Sequence, residues 1–166
     1  TLRAVLSVRG VGGAVETAAR IVQLATDDAK ALTAERDEGE REALLRTLGI
    51  VPGAAVPPAV RSQLSALEDD QKRRATRSLR DGIDRVLTDL ESMFRDVLML
   101  QFGRGDDLIN RELAAELGAV AQAWPPPRTL VVLDAIAQTR TNLEGNAAPA
   151  LALESMLVTV ASGRTL

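Results

Sequence analysis

The residues that could carry out chemistry form a narrow set. Histidine and cysteine are both absent from the 166 residues. Their absence removes the commonest general base and metal ligand, any Ser–His or Cys–His nucleophile pair, thiolate metal sites and disulfides. The two lysines, Lys30 and Lys72, do not follow a glycine, so no phosphate-binding P-loop is present. Gly10-Val11-Gly12-Gly13 begins like a dinucleotide fingerprint, but Val15 holds the place of the third glycine and no strand precedes it, which leaves a plain loop. Carboxylates are numerous and interspersed with arginines. Asp69-Asp70 reads as a solvated helix face and Asp106-Asp107 as a helix start. A basic cluster remains: Lys72, Arg73, Arg74, Arg77 and Arg80 lie within nine residues, and Arg73, Arg77 and Arg80 share one helical face. Helix-borne arginines position nucleic-acid phosphates. Here no aromatic is interleaved for stacking, and acids flank the cluster at Glu68 to Asp70 and at Asp81 to Asp84. The expected role is a solvated or ion-paired face, with protein or phosphate contact as alternatives. The pattern predicts no catalytic residue, cofactor or metal.

The elements that would carry these residues are helical. The chain is 46% hydrophobic, mostly Leu, Val and Ala, and only 2% aromatic; that is enough to fold, and the balance favours helix over sheet. A formal charge of −3 exerts no global pull on nucleic acid or anionic lipid. The uncharged stretch Leu48 to Val60 is too short to cross a bilayer and holds three prolines. No membrane partner and no signal peptide are expected. The first residue is Thr1 rather than Met, which suggests a fragment of a longer chain.

Leu2, Val5 and Leu6 are spaced as the tail of a helix, which Gly10, Gly12 and Gly13 should break. From Ala14, the residues Val15, Ala18, Ala19, Val22 and Ala25 form a helical stripe that continues through Leu32 to Leu48, as one helix or as two meeting near Asp37 beside Gly39. Pro52, Gly53, Pro57 and Pro58 mark a loop over 49–59. A long helix over 60–103, about 65 Å by its rise, carries the apolar stripe Leu79, Ile83, Val86, Leu87, Leu90, Phe94, Val97 and Leu98. Between Leu67 and Leu79 it lacks large apolar residues, and that half should be solvated. Gly103 and Gly105 end it. Three helices follow over 106–166. The first is capped by Asp106 or Asp107. The second opens at Pro127 and carries Leu130, Leu133, Ile136 and Ala137. The last starts at Asn146 or Ala147 with Pro149 in its first turn. The prediction is an all-α bundle of about five to seven helices in a single domain over 1–166.

Two segments in the second half add a resemblance. Arg80-Asp81-x-x-Asp84-Arg85 leads to Phe94-Arg95-Asp96-Val97-Leu98-Met99-Leu100-Gln101-x-Gly103, and later comes Arg140-x-Asn142-Leu143-x-x-Asn146-x-x-Pro149-x-Leu151-x-Leu153-Glu154. Together they resemble the C-terminal domain of the delta-prime subunit of the bacterial DNA polymerase III clamp loader, and the arginine-rich composition is similar to that of actinobacterial members. The similarity runs from about Gln71 to Ser162. The sister subunits, gamma/tau and delta, carry homologous tails. The resemblance implies a non-catalytic, cytoplasmic domain in the circular collar that holds the ATPase modules of the loader together. Its partners would be the other loader subunits, with DNA and the sliding clamp reached only through the whole complex. It singles out Arg95, Asp96, Asn142, Asn146, Pro149 and Glu154 as fold-defining or interface positions. Two other readings compete. One is a generic helical adaptor or dimerisation module. The other is a small all-helical mutase, because Leu79-Arg80-x-x-Ile83-Asp84 with Leu87 and Leu90 is similar to the opening helix of the chorismate mutases, although the rest of that pattern is missing.

Overall fold

The computed structural model describes residues 2–50 and 57–162. Six α-helices occur among them: α1 Leu2–Leu6, α2 Gly10–Thr47, α3 Pro58–Gln101, α4 Ala114–Ala123, α5 Pro126–Glu144 and α6 Pro149–Ser162. Two 3₁₀ turns, Gly105–Asp107 and Arg111–Leu113, join α3 to α4. No strand is present among the described residues, so the all-α expectation holds. Pro52 and Gly53 of the expected loop lie outside the described residues, as do Thr1 and the side chain of Leu2. The chain forms two compact units, Thr1–Gln23 with Ile83–Leu166, and Leu24–Gly82.

The break between α1 and α2 falls at Ser7 to Arg9, and Gly10 alone takes the left-handed backbone, with φ 62°. Gly12 and Gly13 are helical. The first N–H groups of any helix lack intrahelical partners, so glycine costs little there beyond its entropy. Gly39 does not divide α2 either, which runs unbroken for 38 residues. Its cost of about 1 kcal/mol against alanine is offset by flanking ion pairs, Arg36 to Glu40 at 2.8 Å among them. The buried face of α2 is Ala14, Ala18, Ile21, Ala25, Ala29 and Thr33; Val15 and Ala19, members of the helical stripe, are exposed. Its inner face is built of small side chains, so ranking positions by apolar bulk selects the wrong stripe.

In the first unit, the core is α3 from Ile83 onward, where Ile83, Leu87, Leu90, Met93, Phe94 and Val97 have no exposed surface. The helix stops at Gly103 (φ 73°), where Arg104 N–H donates to Met99 C=O and Gly103 N–H to Leu100 C=O, a Schellman closure. The next helix does not begin at Asp106 or Asp107. These lie in a 3₁₀ turn, and α4 starts only at Ala114 after Leu113. The second proline, Pro126, opens α5 after an extended Pro125. The inner face of α5 is Thr129, Val132, Ile136, Thr139 and Leu143, while Leu130 is 47% exposed. Both threonines of this face are buried, and the Thr139 hydroxyl donates to the Ala135 carbonyl at 2.8 Å.

In the second unit, the later part of α2 and the earlier part of α3 lie antiparallel. Asp37 and Glu40 face Gln71 and Arg74, and Arg41 faces Glu68. Among the described residues, only Ala25, Ala29 and Leu64 are buried apolar side chains there. The stretch between Leu67 and Leu79 is therefore not simply solvated: Gln71, Arg74, Ala75 and Ser78 are half-buried.

Candidate functional site

Asp96 is the best-defined polar centre of the first unit. It sits on α3 one residue before Val97 and has no exposed surface. Its oxygens accept the N–H of Ile109 at 3.0 Å, the N–H of Asn110 at 2.7 Å, Asn110 Nδ2 at 2.9 Å and Arg95 Nη1 at 2.8 Å. Burial pushes the carboxyl up, but the bonds from Asn110, Ile109 and Arg95 outweigh it and hold it below the ordinary aspartate value. Asn110 also donates to Ser92 Oγ at 2.9 Å, and Arg95 donates to the Asp107 carbonyl at 2.6 Å. This explains the late start of α4. The backbone donors after the 3₁₀ turn, which a local cap would serve, are served instead by a carboxylate from α3. Such a carboxylate is fully occupied and ionised, which makes it a fastener and a poor proton donor or acceptor for catalysis.

A second fastener joins α5 to α3. Arg140 donates to Asp84 at 2.7 Å, Glu91 at 3.0 Å and Thr88 Oγ1 at 3.0 Å. The hydrogen bonds it donates to Asp84 and Glu91 raise its pKa from the ordinary arginine value. Asn142, Asn146 and Pro149 gather at the α5–α6 turn. Asn146 takes φ 64°, the Ala147 N–H donates to the Asn142 carbonyl at 2.9 Å, and Pro149 is the first residue of α6. The left-handed position falls on Asn146, while Gly145 keeps φ −74°. Asn142 Oδ1 accepts Gln138 Nε2, and Asn142 lines a groove of about 230 Å³ with Val131, Gln138, Ser155 and Met156. Glu154 is half-buried one turn into α6.

The basic residues of α3 do not form one site. Arg73 turns back to Asp70, and Arg74 is clamped by Glu40 and by Asp37 at 3.1 Å. Hydrogen bonds from Arg74 and then Arg36 hold the Glu40 carboxyl at about 2. Arg77 and Arg80 are exposed. Arg80, which the mutase-like spacing would use to grip a dianion, thus sits on an open helix surface. Among the described residues, no group of three or more acidic side chains could hold a metal ion, and no helix is long and apolar enough to cross a membrane.

Reading the residues alone missed Ser92, Asn110 and the anchoring role of Arg140. Asn110 lies 14 residues from Asp96 and 18 from Ser92, in pairings that only the chain reversal creates. Arg140 had a signal, since it opens the second motif.

These fasteners fall within one recognisable segment. A family model, DNA polymerase III, delta subunit, C terminal, matches residues 63–161. The chain belongs to this family. The match begins in α3 and extends into α6, taking in Asp96, Asn110, Arg140 and the α5–α6 turn. The clamp-loader relationship drawn from the motifs therefore holds at the level of this C-terminal domain family. No curated protein and no solved structure matches the chain.

Proposed function

We propose that this domain is a non-catalytic oligomerisation domain in the collar of a bacterial clamp loader, supporting ATP-driven placement of the sliding clamp on primed DNA. The observation that carries the reading is the family match over residues 63–161, which coincides with the stretch of chain pinned by Asp96 and Arg140. A collar segment has to hold its shape while the motor domains it connects move, and buried or forked charge-assisted hydrogen bonds supply that stiffness. The delta-prime assignment within the family rests on the spacing from Phe94 to Gly103 and from Arg140 to Glu154, and the actinobacterial character on the arginine-rich, lysine-poor composition. The partners would be gamma/tau and delta in the cytoplasm. Arg95, Asp96, Asn142, Asn146, Pro149 and Glu154 would define the fold first and contact neighbouring subunits second. Native co-elution of this chain with the other loader subunits tests the proposal. A stable complex without ATP hydrolysis by this chain is expected, and failure to co-elute under native conditions would sink it.

A further inference from the structure

The last helix keeps an apolar face uncovered. α6 has one charged residue, Glu154, among its 14, although 26% of the chain is charged. Leu153, Met156, Leu157 and Val160 turn inward. Leu151, 66% exposed, and Val158, half-buried, lie on the outer side, two turns or about 10 Å apart along the axis. Ser155 lies between them on that side and also lines the groove of about 230 Å³ between α5 and α6, with Val131, Asp134, Gln138, Asn142 and Met156. Leu130, half-exposed, extends the α5 rim one turn before Asp134. Asp134 is the only charged residue lining the groove, and among the described residues its carboxylate has no ion pair and no hydrogen bond. The neighbouring arginines of α5 are committed elsewhere, Arg128 to the Val160 carbonyl and Arg140 to Asp84 and Glu91.

A charge-poor apolar surface around one carboxylate has the composition of the centre of a protein interface. Two exposed turns of α6 beside a groove suit a helix laid along it, anchored by side chains one and two turns apart. Asp134 sets the chemistry of that helix. Covering it with apolar groups alone would strand a carboxylate away from water, so the occupant has to bring a base to it. We propose that the α5–α6 face receives an apolar helix of a neighbouring clamp-loader subunit, which sets an arginine against Asp134. The guanidinium fork matches both oxygens of a carboxylate. This rests on the collar reading and adds to it the surface used and the chemistry of the contact; the face falls within the matched residues 63–161. A second copy of the chain fits less well. Two-fold pairing of this face brings two Asp134 carboxylates to one interface, and no base lines either groove. Nucleic acid fits less well for the same reason, since the one charge of the groove repels phosphate.

Sedimentation with purified gamma/tau and delta subunits tests the proposal, comparing the native chain with L151E, D134N, D134R and L32E. All three positions are exposed, so the variants leave the core intact, which circular dichroism checks. Leu32 belongs to the second unit, so L32E makes the same chemical change away from the face. The expected result is an affinity for the subunits that falls at least about tenfold in L151E and D134N, as for the loss of one buried contact. It falls further in D134R and is unchanged in L32E. If the native chain associates and L151E or D134N binds undiminished, or L32E loses as much, the proposal is overturned and the collar reading stands. If the native chain itself fails to associate, the collar reading falls and takes the proposal with it. Self-association of the isolated chain that L151E abolishes would assign the face to a second copy and overturn the proposal.

Discussion

At the scale of single residues, Asp96 and Phe94 are neighbours on α3 with opposite chemistry and the same task. A carboxylate with no exposed surface is tolerated only when its oxygens are satisfied, and Asp96 has four donors around it. Asp96→Ala leaves the Ile109 and Asn110 amides without acceptors and should cost about 2–4 kcal/mol in denaturant unfolding. The pH dependence follows from the depressed carboxyl. The unfolded chain takes up a proton near the ordinary aspartate value of about 3.9, while the folded chain holds off protonation to lower pH. The stabilisation from Asp96 is therefore fully present above that value and lost as the pH falls through the folded one. The stability gap between the native chain and Asp96→Ala should narrow as the pH is lowered from neutral through the ordinary aspartate value; an unchanged gap would argue against this reading. Phe94 is fully buried against Trp124, and Phe94→Ala should destabilise by about 3–5 kcal/mol. A loss below about 1 kcal/mol would mean that the stripe is not core.

At the scale of elements, three helices end in the same way. Gly49, Gly103 and Asn146 take left-handed backbone after α2, α3 and α5, each with the pair of reversed hydrogen bonds of a Schellman closure. A Cβ placed on Gly103 would meet nothing within 4 Å, so only the backbone opposes a side chain. Gly103→Ala should therefore cost about 1 kcal/mol. Asn146→Gly should be neutral or slightly stabilising, whereas Asn146→Ala should lose about 1 kcal/mol in thermal unfolding. The glycines that look alike in sequence differ in effect. Gly10 and Gly103 reverse the chain at positive φ, while Gly12, Gly13 and Gly39 are absorbed into α2.

At the scale of the whole molecule, the two units rest on different forces. The first has a continuous apolar core around Ile83 to Val97, reinforced by the Asp96 and Arg140 fasteners. The second has, among its described residues, only Ala25, Ala29 and Leu64 as buried apolar side chains and a seam of Arg74, Asp37, Glu40, Arg41 and Glu68. Half-exposed ion pairs contribute little each and are screened by salt. Amide hydrogen exchange should therefore be faster around Thr33 and Gln71 than around Leu90 and Phe94, and added salt should widen the difference. Equal protection in both stretches would count against a polar seam as the weaker support.

The sequence by itself determined the helical class, the long α3, the exclusion of His- and Cys-based chemistry and the motifs of the second half. These depend on residue type and local spacing, which are written along the chain without reference to distant contacts. Five of the eight residues in the α3 stripe, Ile83, Leu87, Leu90, Phe94 and Val97, are fully buried for that reason. Only the tertiary structure decided which face of α2 and α5 turns inward, because Ala14, Ala18 and Thr129 are buried by what packs on them while bulkier Val15 and Leu130 stay outside. It also decided the start of α4, since the acceptor for the Ile109 and Asn110 amides comes from α3 rather than from the adjacent aspartates. The pairings of Arg140 with Asp84 and of Arg128 with Trp124 likewise exist only after folding, when chain segments without a shared local pattern are brought within hydrogen-bonding and stacking distance.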